Sequence, residues 1–151
     1  MIAQSRQMEL RRRPVSEIMR RDVVVLAPKE RLDLTQDIMS IGRVRHMPVL
    51  DDGRLVGVIS NRDLLSAALS KALDFDTASR RSFLHSVEVE EVMTKEVVTV
   101  GPDTALEEAA RMLVRRQIGC LPVVRPDGTM SGLVTETDLL SAAFLDGEGA
   151  E

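Results

Sequence analysis

Tryptophan and tyrosine are absent, and only Phe75, Phe83 and Phe144 supply aromatic rings. So few rings leave little for bases to stack on, which argues against single-stranded nucleic-acid binding. Cys120 is the only cysteine, so the chain can build neither a disulfide framework nor a thiolate metal cluster. Two histidines, His46 and His85, are too few for a histidine-based metal centre without carboxylate help, and no metal site is expected. No apolar run approaches the roughly 20 residues that span a bilayer. The opening "MIAQSRQMELRRR" also lacks the apolar centre of a signal peptide, so a cytoplasmic protein without membrane contact is expected. Positive charge is in deficit as well. The net charge of −4 and pI of about 5.3 argue against general nucleic-acid binding, which needs a basic face.

One local surplus stands against that deficit. Arg6, Arg11, Arg12, Arg13, Arg20 and Arg21 crowd the beginning of the chain. They suit a solvated helix and its flank, or an arm that touches an acidic partner or nucleic acid.

What the 151 residues do contain is a duplication. "GVISNRDLLSAA" (57–68) returns as "GLVTETDLLSAA" (132–143). Val15–Leu50 aligns with Val89–Val124 at an offset of 74, with nine identities in 36 positions. Asp51–Ala68 aligns with Pro126–Ala143 at an offset of 75, with nine identities in 18. The offset changes between "PVLDDG" and "PVVRPDG", at a turn, where an insertion costs least.

Each copy predicts the same elements. "VVVL" (23–26) and "VVTV" (97–100) are β-branched runs ended by Ala27-Pro28 and Gly101-Pro102, which predict strands. A helix follows. In repeat 2 it opens on Thr104 and Glu107, the pattern of a capping box. Two strands joined at Asp52-Gly53 or Asp127-Gly128 then predict a hairpin, and a second helix closes the unit. One such unit cannot bury both faces of so small a sheet, whereas two can. The expected fold is α/β (α+β), two β-α-β-β-α repeats with pseudo-two-fold symmetry packed sheet against sheet. The expected divisions are a basic segment with a lead-in helix (1–14), repeat 1 (15–69), a connecting helical segment (70–88), repeat 2 (89–145) and a tail (146–151).

The repeated Ser60-Asn61-Arg62-Asp63 and Thr135-Glu136-Thr137-Asp138 fit a helix start, with a hydroxyl at the N-cap and an acid three residues on. The same arrangement suits a nucleotide. A helix N-terminus attracts phosphate through free N–H groups and its dipole. The hydroxyl can donate to a phosphate oxygen, and the aspartate can accept two hydrogen bonds from a ribose diol, as acids do in other nucleotide folds.

In order, twice, "VSEIM"/"VEEVM", "VVVLAP"/"VVTVGP", "MPVLDDG"/"LPVVRPDG" and "GVISNRDLL"/"GLVTETDLL" resemble the motifs of a tandem CBS-domain (cystathionine β-synthase domain) pair, a Bateman module. The resemblance runs over about residues 15–145. It implies that Ser60 and Asp63, and Thr135 and Asp138, contact phosphate and ribose. It implies an adenine lodged near Val23, Val24, Met47, Pro48 and Ile59 in repeat 1, and near Val97, Val98, Leu121, Pro122 and Val134 in repeat 2. It places Arg45, His46 and Arg62 of repeat 1 near phosphate. Repeat 2 has Gly119, Cys120 and Thr137 there, with acidic Glu136 alongside, so the repeat 1 cleft is expected to fill first.

The resulting expectation is a stand-alone regulatory module. It binds an adenine nucleotide, with or without magnesium, in the cleft between the repeats, and regulates an unidentified protein in trans as a homodimer. No tightly held cofactor is expected. No nucleophile with its base, no metal cluster and no glycine-rich phosphate loop appears, so no catalytic residues are assigned. The alternatives are a ligand-free dimerisation module of the same fold and a binder of S-adenosylmethionine or a dinucleotide.

Overall fold

A computed structural model describes residues 2–72 and 76–145, with the backbone alone for 69–72. Its elements in chain order are α1 (Ile2–Arg12), a short 3-10 turn (Val15–Glu17), α2 (Leu32–Gly42), β1 (His46–Asp51), β2 (Arg54–Ser60) and α3 (Asn61–Ala72). Then come α4 (Thr77–Ser86), a second 3-10 turn (Val89–Glu91), α5 (Leu106–Arg116), β3 (Cys120–Val124), β4 (Met130–Thr135) and α6 (Glu136–Phe144). They assemble into two compact units that cross the sequence repeats. One is the continuous stretch 24–97; the other combines 1–23 with 98–151. The segment leading into each repeat therefore packs on elements of the other repeat.

In the continuous unit β1 and β2 form an antiparallel hairpin with His46 opposite Ser60 and Val49 opposite Gly57. Asp52 (φ 53°) and Gly53 (φ 78°) both take positive φ, the conformation that matches the strands' twist in a two-residue hairpin turn. A register shift at Val49/Leu50 recurs at Val123/Val124 in the other unit, where Cys120 faces Thr135 and Val123 faces Gly132. Leu32, Met47, Val49, Ile59, Leu84 and Val89 bury the core of the continuous unit. Val15, Leu106, Leu121, Val123 and Val134 do so in the other.

The two β-branched runs differ from the strands predicted for them. Val23–Leu26 contributes one parallel bridge, Leu26 to Val49, and Val97–Val100 one, Val100 to Val123. Leu26 N–H donates to Pro48 O (3.0 Å) and Leu50 N–H returns to Leu26 O (2.9 Å), and the following Ala27-Pro28 carries the chain away. The capping box predicted at Thr104/Glu107 is also not formed. Thr104 Oγ1 accepts from Gly101 N–H (3.1 Å), and the cap position of α5 falls to Ala105. The first N–H of α5, on Leu106, donates instead to Arg13 O of the lead-in segment (2.9 Å). Leu32 at the start of α2 donates likewise to Val87 O (3.0 Å). A neighbouring backbone thus takes the place of a capping side chain.

Gly57 and Gly132 are where that exchange comes closest. The backbones of Thr94 and Val58 bond to each other in the continuous unit, and those of Arg20 and Leu133 do so in the other (2.9–3.0 Å). A Cβ on Gly132 would lie 2.8 Å from Arg20 O and 2.6 Å from Met19 Sδ; one on Gly57 would meet Met93 Sδ and, at 3.0 Å, Thr94 O. His85, a surface residue without a partner pattern in the sequence, pairs through Nδ1 with Asp33 Oδ2 (2.8 Å). Beside it Arg81 clamps Asp37 (3.1 and 2.8 Å), and that guanidinium holds the Asp37 carboxyl below its usual range.

Candidate functional site

The hairpin end and the start of the following helix gather the predicted polar residues. In the continuous unit Ser60 ends β2 and Asp63 lies in the first turn of α3. Asp63 Oδ2 accepts the Ser60 N–H (2.9 Å), and Ser60 Oγ accepts the Asp63 N–H (3.1 Å). This is a reciprocal cap with aspartate in the acid position. His46 sits across the hairpin from Ser60, and Arg45 O accepts the Asn61 N–H (2.9 Å). Arg45 and Arg62 are exposed and His46 half-buried, and the backbone brings these three basic residues to one helix N-terminus. Asp63 Oδ1 and the Ser60 hydroxyl proton have no further partner among the described residues.

The other unit repeats this with a difference. Thr135 Oγ1 accepts the Asp138 N–H (3.3 Å) and donates its own proton to Asp138 Oδ2 (2.9 Å), which also accepts the Thr135 N–H (2.9 Å). Asp138 Oδ1 accepts from Arg20 Nε (2.9 Å), a residue 118 positions away in sequence. Arg20 belongs to the N-terminal arginine cluster and lies in none of the repeated site motifs. The signal that could have marked it is the repeat alignment, where it stands against Thr94. Two more of that cluster are engaged internally: Arg13 pairs with Glu17 (2.7 Å) and Arg21 donates to Ser16 O (3.4 Å).

The apolar residues proposed around adenine divide. Met47, Ile59, Leu121 and Val134 are fully buried core residues and Pro48 and Pro122 are buried, so their backbone is more exposed to a ligand than their side chains are. Hairpin register accounts for the burial of the four at strand centres. Met47 pairs with Ile59 and Leu121 with Val134, directed into the cores. Val24, 45% exposed, and half-buried Val23, Val97 and Val98 remain accessible. Among the described residues no group of three His, Cys, Asp or Glu side chains could hold a metal ion, and no helix is long and apolar enough to cross a membrane.

The sequence pattern of the CBS domain matches residues 15–70 and again residues 89–144. The chain belongs to the CBS domain family. As a tandem CBS pair it is similar to MJ1225 of Methanocaldococcus jannaschii, 32% identical over 127 residues that make up 83% of this chain and 45% of that protein. The crystal structure of MJ1225 matches with a TM-score of 0.77 over 93% of this chain and 51% of that one, at 29% identity. CBSX2 from Arabidopsis thaliana, solved in complex with AMP, matches with a TM-score of 0.75 and 30% identity over 89% of this chain and 98% of that one. Inosine-5'-monophosphate dehydrogenase of Korarchaeum cryptofilum is 30% identical over 119 residues, 79% of this chain and 22% of the enzyme. The CBS pair thus spans less than half the length of MJ1225 and a small part of the dehydrogenase.

Cys120 takes the place that His46 has in the other CBS repeat. It is buried, and burial pushes its thiol up to about 11. The thiol is therefore protonated at pH 8, and only the thiolate is an effective nucleophile. A disulfide reagent should label the folded protein at pH 8 far more slowly than the protein unfolded in urea. Equal rates would show that Cys120 is accessible.

Proposed function

We propose that this CBS pair is a regulatory, non-catalytic module that binds an adenine nucleotide at Ser60 and Asp63, and whose ligand state is read by a partner protein. The observation that carries the proposal is the open half of the Ser60/Asp63 cap. One carboxylate oxygen and one hydroxyl proton are unspent beside a helix N-terminus to which the backbone brings Arg45, His46 and Arg62. A ribose diol needs the first and a phosphate needs the second, together with positive charge. Val24, 45% exposed, offers accessible apolar surface for the base. The AMP complex of CBSX2, 30% identical to this chain, supports the ligand class.

The module is proposed to work as a homodimer. On α6, Leu140, Phe144 and Leu145 are 59%, 78% and 53% exposed. Leu140 also lines an apolar hollow of about 230 Å³, chiefly with Leu10, Leu106, Ala110, Leu139 and Ala143. Apolar surface of this kind on one helix fits a self-complementary contact with a second copy.

One set of measurements tests both parts. Calorimetry with AMP, ADP, ATP and S-adenosylmethionine on nucleotide-stripped protein should give saturable binding of an adenine nucleotide. Light scattering on the same sample should give twice the 16.7 kDa chain mass. Dimer without heat from any ligand would leave an assembly module and sink the nucleotide role. A monomer at micromolar concentration would sink the dimer.

A further inference from the structure

Resting on that nucleotide assignment, we propose that Arg20 is an internal latch that occupies the ribose-binding carboxylate of repeat 2, so that each chain takes up one nucleotide and not two. The basis is a count of hydrogen-bond capacity. A carboxylate offers about four acceptor positions. Asp63 spends one, on the Ser60 N–H. Asp138 spends three: on the Thr135 N–H, the Thr135 hydroxyl and the Arg20 Nε–H, each at 2.9 Å. A vicinal diol donates two bonds, and Asp138 has about one position left. The Thr135 proton is turned inward as well, which withdraws the donor a phosphate would use.

The carboxylate of Asp138 is 9% exposed while Arg20 is 62% exposed, so the latch lies on the solvent side of its partner. Arg20 is held in place by its backbone. Its N–H donates to Leu133 O and its carbonyl accepts from Leu133 N–H, both at 2.9 Å. Thr94, at the equivalent position of the other repeat, makes the same pair of backbone bonds to Val58 and has no side chain long enough to reach a carboxylate. Swapping Arg20 for threonine thus reproduces at repeat 2 what the chain already accommodates at repeat 1.

The test is calorimetry with AMP on the whole chain, stripped of nucleotide, as wild type, Arg20→Thr and Arg20→Gln. The expected result is one strong site per chain for wild type and two for each variant, the second at least tenfold tighter than any weak second site of wild type. Arg20→Thr combined with either Asp63→Asn or Asp138→Asn should retain one strong site, which assigns the new site to Asp138. A stoichiometry that stays at one in both variants overturns the latch and leaves the nucleotide site standing. So does weaker binding in both, which would mean that the outer guanidinium nitrogens of Arg20 serve the phosphate instead. AMP-induced heat in none of the proteins overturns the nucleotide assignment and the latch with it.

Discussion

Asp63→Asn is expected to leave the melting temperature of the free protein nearly unchanged and to remove most of the rise that AMP produces. The two halves of this result come from different bonds. In the free protein Asp63 Oδ2 accepts the Ser60 N–H at 2.9 Å, and asparagine keeps an oxygen of the same reach. Loss of a cap altogether would cost about 0.5–2 kcal/mol, so the conservative exchange should cost less. The ribose diol is held by the charge. A charge-assisted hydrogen bond contributes about 1.5–3 kcal/mol, so its loss lowers affinity by roughly tenfold or more. Ligand stabilisation grows as RT ln(1 + [L]/Kd) and shrinks by about 1.4 kcal/mol for each tenfold at saturating ligand. Asp138→Asn should have the smaller effect on the AMP-induced rise, because three of that carboxylate's acceptor positions are already taken. A full AMP-induced rise in Asp63→Asn would reduce the repeated stretch to a helix cap.

A comparable effect, on stability alone, is expected at Gly132. An added methyl there would lie 2.8 Å from the carbonyl oxygen of Arg20 and 2.6 Å from Met19 Sδ. The sulfur can swing away. The carbonyl cannot move without breaking its bond from the Leu133 N–H (2.9 Å). Overpacking of this kind costs typically 1–3 kcal/mol. Gly132→Ala should therefore lower the urea midpoint with little change in slope. Gly101→Ala is the control. Its nearest neighbour would be Thr104 Oγ1 at 3.9 Å, its φ is not positive, and Ala27 already stands at the equivalent place. That exchange should be neutral or stabilising by about 0.4–1 kcal/mol. Equal stability of Gly132→Ala and wild type would show that the lead-in segment yields to the added methyl without cost.

Elements that depend on neighbouring residues were legible in the sequence. Asp52-Gly53 announced a tight turn, and both residues take the positive φ that such a turn needs. Ser60/Asp63 and Thr135/Asp138 announced helix starts, and both close reciprocal caps. What depended on distant partners was not legible. The Val23–Leu26 and Val97–Val100 runs have the composition of strands, yet only one residue of each finds a partner. Thr104 and Glu107 have capping spacing, but the Arg13 carbonyl reaches the first turn of α5 instead. Met47 and Leu121 sit next to the prolines of their strands, and only the register shows that their side chains belong to the cores. The bond from Arg20 to Asp138 spans 118 positions, and no local pattern announces it.

The exchange of lead-in segments also bears on how the chain comes to be folded. Residues 24–97 are contiguous, and everything their compact unit needs is present once Val97 has been added. The other unit is split, and its first 23 residues must wait for residues 98 onward. The Val15 N–H finds its acceptor at Thr104, whereas the Val89 N–H finds its own at Glu30, a much shorter loop to close. Loop-closure entropy has to be met before distant contacts can repay it, and domains tend to assemble as they are synthesised. Residues 1–23 are therefore expected to dock after the continuous unit has formed, and the basic α1 helix waits for its partner while residues 24–97 are being made.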